Sequence, residues 1–187
     1  MTILNKQNRM KQMATTENVD LKRFIITLCE SPIRWIHEAT SGLTDDQLYF
    51  QPDPNSNSIA WLIWHLSRWR DKISAAAAGE SQVWESQGWA DRFGMEISRT
   101  GLGDTTEQVT IFRVSRDLLI GYADSAHSAI TDRVSRMSSN QFTSEIEYMT
   151  GAHRPAWRAL ISVMGDSSEH TGQINYLRGL ITGPGWR

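Results

Sequence analysis

Met164-Gly-Asp-Ser-Ser-Glu-His-Thr-Gly-Gln-Ile-Asn-Tyr-Leu-Arg-Gly-Leu-Ile181 reads as a helix that carries chemistry on its packed face. With the turn before it, Leu160, Val163, Ser167, His170, Ile174, Leu177 and Ile181 recur at alternating spacings of three and four, the seam of a helix in a bundle. His170 therefore falls at a core position. Asp166 lies one turn earlier, and residues four apart project from the same side of a helix, so carboxylate and imidazole can converge on one point. One ligand from another helix would complete a metal site.

Three further stripes surround this one. From Glu17 to Ser41, Leu21, Phe24, Ile25, Leu28, Trp35, Ile36 and Ala39 keep helical spacing, with Gly42 as a stop and Pro32 predicting a kink or a split. A loop of turn formers from Leu43 to Asn57 leads to Ser58, a cap for a second helix with Ile59, Leu62, Leu66, Trp69, Ile73 and Ala76 on its seam and Gly79 at its end. Residues 79–104 hold five glycines and no periodic run, and read as a long connection with room for a short helix. A crossover of this length lets the second and third helices run parallel. The third helix is predicted as one piece from Thr105 to Met137, with Val109, Phe112, Leu119, Ala123, Ala126, Ile130 and Val134 on its stripe. Residues 138–154 are polar, with a Glu145 to Met149 piece that could pair locally or simply wrap, and Pro155 suits the first turn of the fourth helix, which ends before Gly183. Four stripes without a repeat predict an all-α fold, a four-helix bundle with one long crossover between helices 2 and 3. Residues 1–16 read as a flexible tail, and 17–187 as one domain.

Composition narrows the function. The 19 basic and 21 acidic residues form no basic block, which argues against nucleic acid or an anionic membrane as partner. No apolar run approaches the ~20 residues of a membrane span, and Cys29, the only cysteine, excludes a disulfide framework and a cysteine-rich zinc site and fits a cytoplasmic protein. Eight tryptophans are many for this length; Trp61, Trp64, Trp84 and Trp89 could wall a substrate pocket or simply fill the core.

His65 stands at the edge of the second seam beside Trp61 and Trp64. With Asp166 and His170 it would place two imidazoles and a carboxylate on one side of a divalent ion, a set that suits zinc, nickel, iron or manganese alike and leaves positions open for water or substrate. Gln173, three residues after His170, is placed to hydrogen-bond at the site, whereas Glu169 points about 100° around the helix from His170. Of the remaining histidines, His37 reads as an exposed side chain without a partner, His127 as one beside its stripe, and His153 has no periodic context. Without a metal, His65, Asp166 and His170 would be a buried polar cluster.

Asn57-Ser-Ile-Ala-Trp-Leu-Ile-Trp-His-Leu66, Val83-Trp-Glu-Ser-Gln-Gly-Trp-Ala-Asp-Arg-Phe-Gly94 and His170-Thr-Gly-Gln-Ile-Asn-Tyr-Leu-Arg-Gly179 together resemble the DinB-like superfamily, over about residue 17 to the C-terminus. The resemblance implies an up-down-down-up bundle, a homodimer, and a metal held by His65, residue 166 and His170. Asp166 stands where the commonest pattern of that family has a histidine. It further implies a thiol-dependent S-transferase or isomerase that uses a low-molecular-weight thiol, such as mycothiol or bacillithiol, on a small-molecule substrate. The alternatives are a metal-dependent hydrolase and a non-catalytic bundle that binds a metal or ligand.

Overall fold

The computed structural model describes residues 20–186, so the expected tail at 1–16 lies outside the described residues. The protein is mostly helical, with one small two-stranded sheet. Helix α1 spans Leu21–Thr40, and Asp20 caps it by accepting from the Lys22 N–H at 3.0 Å. Pro32 does not split this helix. Its ring is buried beside Cys29, Ile33 and Ile36, and that packing offsets the backbone hydrogen bond a helix-interior proline removes. After a short helix α2 (Asp45–Leu48), Ser58 caps α3 (Ile59–Ala78) and Gly79 closes it in a left-handed conformation, as the sequence predicts. All of α3 is buried except Lys72, Ala76 and Ala78, so this helix is enclosed by its neighbours on every side.

The long connection holds two short helices, α4 (Val83–Ser86) and α5 (Trp89–Phe93). The predicted third helix is in fact two. Thr105 caps a single turn, α6 (Thr106–Thr110), and a new helix α7 (Arg116–Arg136) starts at Ser115. Tyr49 accounts for the break: its hydroxyl accepts from the Val114 N–H at 2.8 Å and donates to the Val114 carbonyl, so both backbone groups are satisfied outside a helix. Then follow α8 (Ser139–Thr143) and an antiparallel pair, β1 (Glu145–Met149) and β2 (Ala152–Pro155), with Ile146 opposite Arg154 and Glu147 opposite His153. Pro155 stands one residue outside the last helix, α9 (Ala156–Thr182).

The four long helices pack in a ring in which α1 and α3 each touch both α7 and α9. On α9 the buried line runs through Leu160, Val163, Met164, Ser167, Thr171, Ile174 and Leu177. His170 is therefore beside the seam and not in it, with 15 % of its side chain exposed. No described helix is long and apolar enough to cross a membrane.

Charged groups on α3 hold the crossover in place. The Asp71 carboxylate accepts from the Val83 N–H (3.0 Å) and Arg133 Nη1 (2.9 Å) on one oxygen, and from the Trp84 N–H (2.8 Å) and Tyr122 hydroxyl (3.4 Å) on the other. Arg68, fully buried, donates to the carbonyls of Arg99 and Ile97 and to Gln82 and Tyr122, and stacks 4.5 Å from the centre of the Trp84 ring. Arg133 adds donations to Ser74 and the Ser81 carbonyl. A buried charge with every donor and acceptor engaged is tolerable where an unpaired one is not.

Candidate functional site

The crossover, so fixed, returns over α3 at His65. The Thr100 carbonyl lies 2.6 Å from His65 Nδ1. A carbonyl only accepts, so Nδ1 carries the proton and Nε2 keeps its lone pair. Burial, with the neighbouring His170 second, pushes the imidazole pKa down to about 4, so the ring is neutral at pH 7. The Trp61 indole stacks on the ring at 4.6 Å between centroids and 11° between planes, and donates from Nε1 to Asp104 at 3.0 Å. Burial raises the Asp104 carboxyl, but the hydrogen bonds from Arg99 and Trp61 outweigh it and hold the group below the usual carboxylate range.

Gly101 makes this clamp possible. At φ +87°, a Cβ there would stand 2.5 Å from His65 Nδ1, 2.9 Å from the Trp61 ring and 3.0 Å from the Trp64 ring. Only glycine allows the loop to press on the imidazole this closely.

From the other side α9 brings His170. Its ring centre is 5.1 Å from that of His65, with the planes at 77°. Gln173 Oε1 sits 2.9 Å from His170 Nδ1, and Asp166 Oδ1 sits 3.4 Å from Nε2. Two oxygen acceptors thus face the two nitrogens of one imidazole. A neutral ring has one proton to offer, and the shorter contact, to Gln173, takes it, so Nε2 turns its lone pair towards Asp166. The remaining oxygen of Asp166, Oδ2, is buried and has no hydrogen-bond partner. Burial pushes the Asp166 carboxyl up; His170 opposes that shift and Glu169 adds to it.

His65, Asp166 and His170 thus form a chain of neighbours, His65 beside His170 and His170 beside Asp166. Among the described residues no three His, Cys, Asp or Glu side chains form a group arranged to hold a metal ion. The donor chemistry nevertheless fits one: each Nδ1 is engaged by an oxygen acceptor, the habit of metal-binding histidines, and a carboxylate oxygen is left unsatisfied.

Trp64, Trp84 and Trp89 are buried in an aromatic cluster with Phe93, Phe112 and Tyr122, and among the four tryptophans only Trp61 stacks on a site residue. His37 does have a partner, Asp124 at 2.7 Å, and His127 lies half-buried with Nδ1 3.1 Å from Arg70 Nη2. His153 is exposed on β2. Sequence reasoning missed Thr100, Gly101 and Asp104; the pair of glycines at 101 and 103, far from His65 in sequence and brought to it only by the crossover, was the one signal available.

The DinB superfamily matches residues 34–174, from α1 through His65 and the crossover to His170. The chain belongs to the DinB superfamily. This superfamily member shares its fold with a conserved protein of Enterococcus faecalis known from a crystal structure, with a TM-score of 0.75 and 22 % identity over 86 % of this chain and 96 % of that one. Among curated proteins none matches the chain.

Proposed function

We propose that His65, Asp166 and His170 hold a divalent metal ion and that this DinB superfamily protein is a metal-dependent enzyme, most concretely a thiol-dependent S-transferase or isomerase. The observation that carries the reading is the pair of imidazoles with both Nδ1 atoms engaged by oxygen, next to a carboxylate oxygen with no partner. A divalent ion at such a place supplies Lewis acidity and lowers the pKa of a bound thiol or water. The chain's own groups do the rest. Thr100 and Gly101 fix the tautomer and tilt of His65, Trp61 excludes water from one face of its ring, and Gln173 orients His170. The up-down-down-up helix order and the homodimer implied by the family belong to the same proposal.

A second reading has its own observation. The 3.4 Å approach of Asp166 to His170 Nε2 is also the geometry of a metal-free carboxylate–imidazolium pair. Elemental mass spectrometry on tag-free protein separates the two. The metal reading expects near-stoichiometric zinc, nickel, iron or manganese in the wild type, lost in His170→Ala and Asp166→Asn. A wild-type protein that stays empty after exposure to each of the four ions overturns it and leaves the ion pair.

A further inference from the structure

Behind Gln173, on the Nδ1 side of the His170 ring, the surface opens into a cleft of about 720 Å³, the size of small-molecule sites in general. Gln173, which holds His170 by its Nδ1, is also part of the cleft wall, so the cleft and the histidine share a side chain. The floor is apolar: Leu62 of α3 and Leu177 of α9 are both buried beneath it. The facing wall is the loop at 52–57, where Asn55, Ser56 and Asn57 present amides and a hydroxyl. That loop is braced from within, since Asp53 accepts from the Asn55 N–H at 2.8 Å with its side chain and from the Ser56 N–H at 2.9 Å with its carbonyl. On the α9 side, Tyr176 offers an exposed aromatic ring.

Charge decides what such a cleft admits. Glu169 is the one charged side chain among its described lining residues, and no described Lys, Arg or His is ion-paired with it. An anionic ligand would find a carboxylate and no cation. A ligand with an apolar body and an ammonium head would find an apolar floor, amide and hydroxyl partners, a free carboxylate and the face of a tyrosine ring. We infer that the cleft is the ligand site of the His170 centre, that it selects amphiphilic organic amines, and that Glu169 is the residue that reads the ammonium. The inference rests on the reading of His170 as part of the reactive centre, and it adds the substrate class to that reading.

Three probes of one shape and different charge test it: tyramine, tyrosol and 3-(4-hydroxyphenyl)propionate, titrated into isotope-labelled full-length protein and followed by NMR, once after chelator treatment and once after zinc loading. The expected result is that tyramine shifts the Ser56 and Gly172 amides and the Leu177 methyls, with a Kd at least tenfold below that of the propionate. Glu169→Gln removes the difference between tyramine and tyrosol, and Glu169→Lys inverts the order in favour of the propionate. Glu169 is exposed on α9, and unchanged amide spectra away from the cleft verify that both variants fold. Equal affinities for the three probes, shifts confined to another face, or no binding by any probe overturns the inference. The metal proposal fails separately: an ammonium preference present in chelated protein that never takes up zinc keeps the cleft and removes the ion, whereas stoichiometric zinc without any charge preference keeps the ion and removes the cleft.

Discussion

Two carboxylates, Asp71 and Asp166, each lie in a polar cluster against the bundle, and they are treated in opposite ways. Asp71 is fully buried and has four donors on its two oxygens, among them two backbone N–H groups of the crossover and the Arg133 guanidinium. Asp166 is a third exposed, has one histidine at 3.4 Å, and keeps a buried oxygen with no partner at all. A satisfied buried network rigidifies a fold, whereas a buried polar atom without a partner costs free energy until something pairs with it. The difference separates the network that holds the crossover in place from the cluster at the candidate site.

The same substitution at both positions breaks the comparison most directly. Asp71→Asn turns an acceptor into a donor opposite backbone N–H groups or Arg133, and leaves Arg68 and Arg133 buried without their carboxylate. Removing one partner of a buried ion pair costs about 3–5 kcal/mol. Urea unfolding of this variant is expected to show that loss, with the crossover amides of Val83 and Trp84 losing hydrogen-exchange protection first. A loss below about 1 kcal/mol, the range of surface pairs, would mean that the network does not hold the crossover.

His65 links the two clusters, because it rides on the same helix as Asp71 and faces His170. Its pKa is about 4 in the folded protein, below the ordinary 6.5. The unfolded chain therefore binds a proton that the folded one refuses between those values. The contribution to stability is complete above pH 6.5, falls as the pH drops from 6.5 towards 4, and amounts to about 3 kcal/mol across that window. The raised carboxyl of Asp166 acts with the opposite sign at the acid end, so the readout is the difference between wild type and His65→Gln. Denaturant unfolding at pH 7 and pH 4.5 should show a steeper acid loss in the wild type. Equal slopes would place the ring in contact with water.

Gly101 sharpens the contrast further, since it belongs to the crossover that Asp71 secures and yet touches the site. Gly101→Ala sets a Cβ against His65 and both tryptophan rings at a positive φ, and overpacking of this kind with a left-handed backbone costs about 2 kcal/mol. The His65 ring signals are expected to move while the Asp71 network keeps its exchange protection. If both regions loosened together, the clamp and the network would be one structural unit.

These positions also explain what could be read from the chain beforehand. Local features were legible: the caps at Ser58 and Gly79 and the helix carrying Asp166 and His170 follow from residues within a few turns of one another, whereas the Glu145 to Met149 piece left pairing and wrapping equally open. The break before α7 was not, because its cause is the Tyr49 hydroxyl, 65 residues away, taking up the backbone of Val114. The continuity of α1 through Pro32 was hidden for the same reason, since the compensation is tertiary packing. Periodicity put His170 in the seam, whereas the buried line shifts to Thr171 and leaves the imidazole beside it, partly exposed. Arg68 and Asp71 were invisible as a network because helical spacing marks apolar residues, and a helix buried on every side has to carry its polar ones inward.

Asp166→Asn carries the smallest expected effect on stability. The carboxylate is strained by burial, its Oδ2 is unpaired, and the asparagine amide could donate to the lone pair on His170 Nε2. Removing a charge that has no good partner costs little, so unfolding of the chelator-treated, metal-free variant should differ from that of metal-free wild type by less than about 1 kcal/mol in either direction. The metal content of the untreated variant is nonetheless expected to vanish. That combination, stability kept and ligand lost, is what a site held open by the rest of the fold must show. A stability loss as large as that of Asp71→Asn would make Asp166 a structural residue and erase the distinction between the two carboxylates.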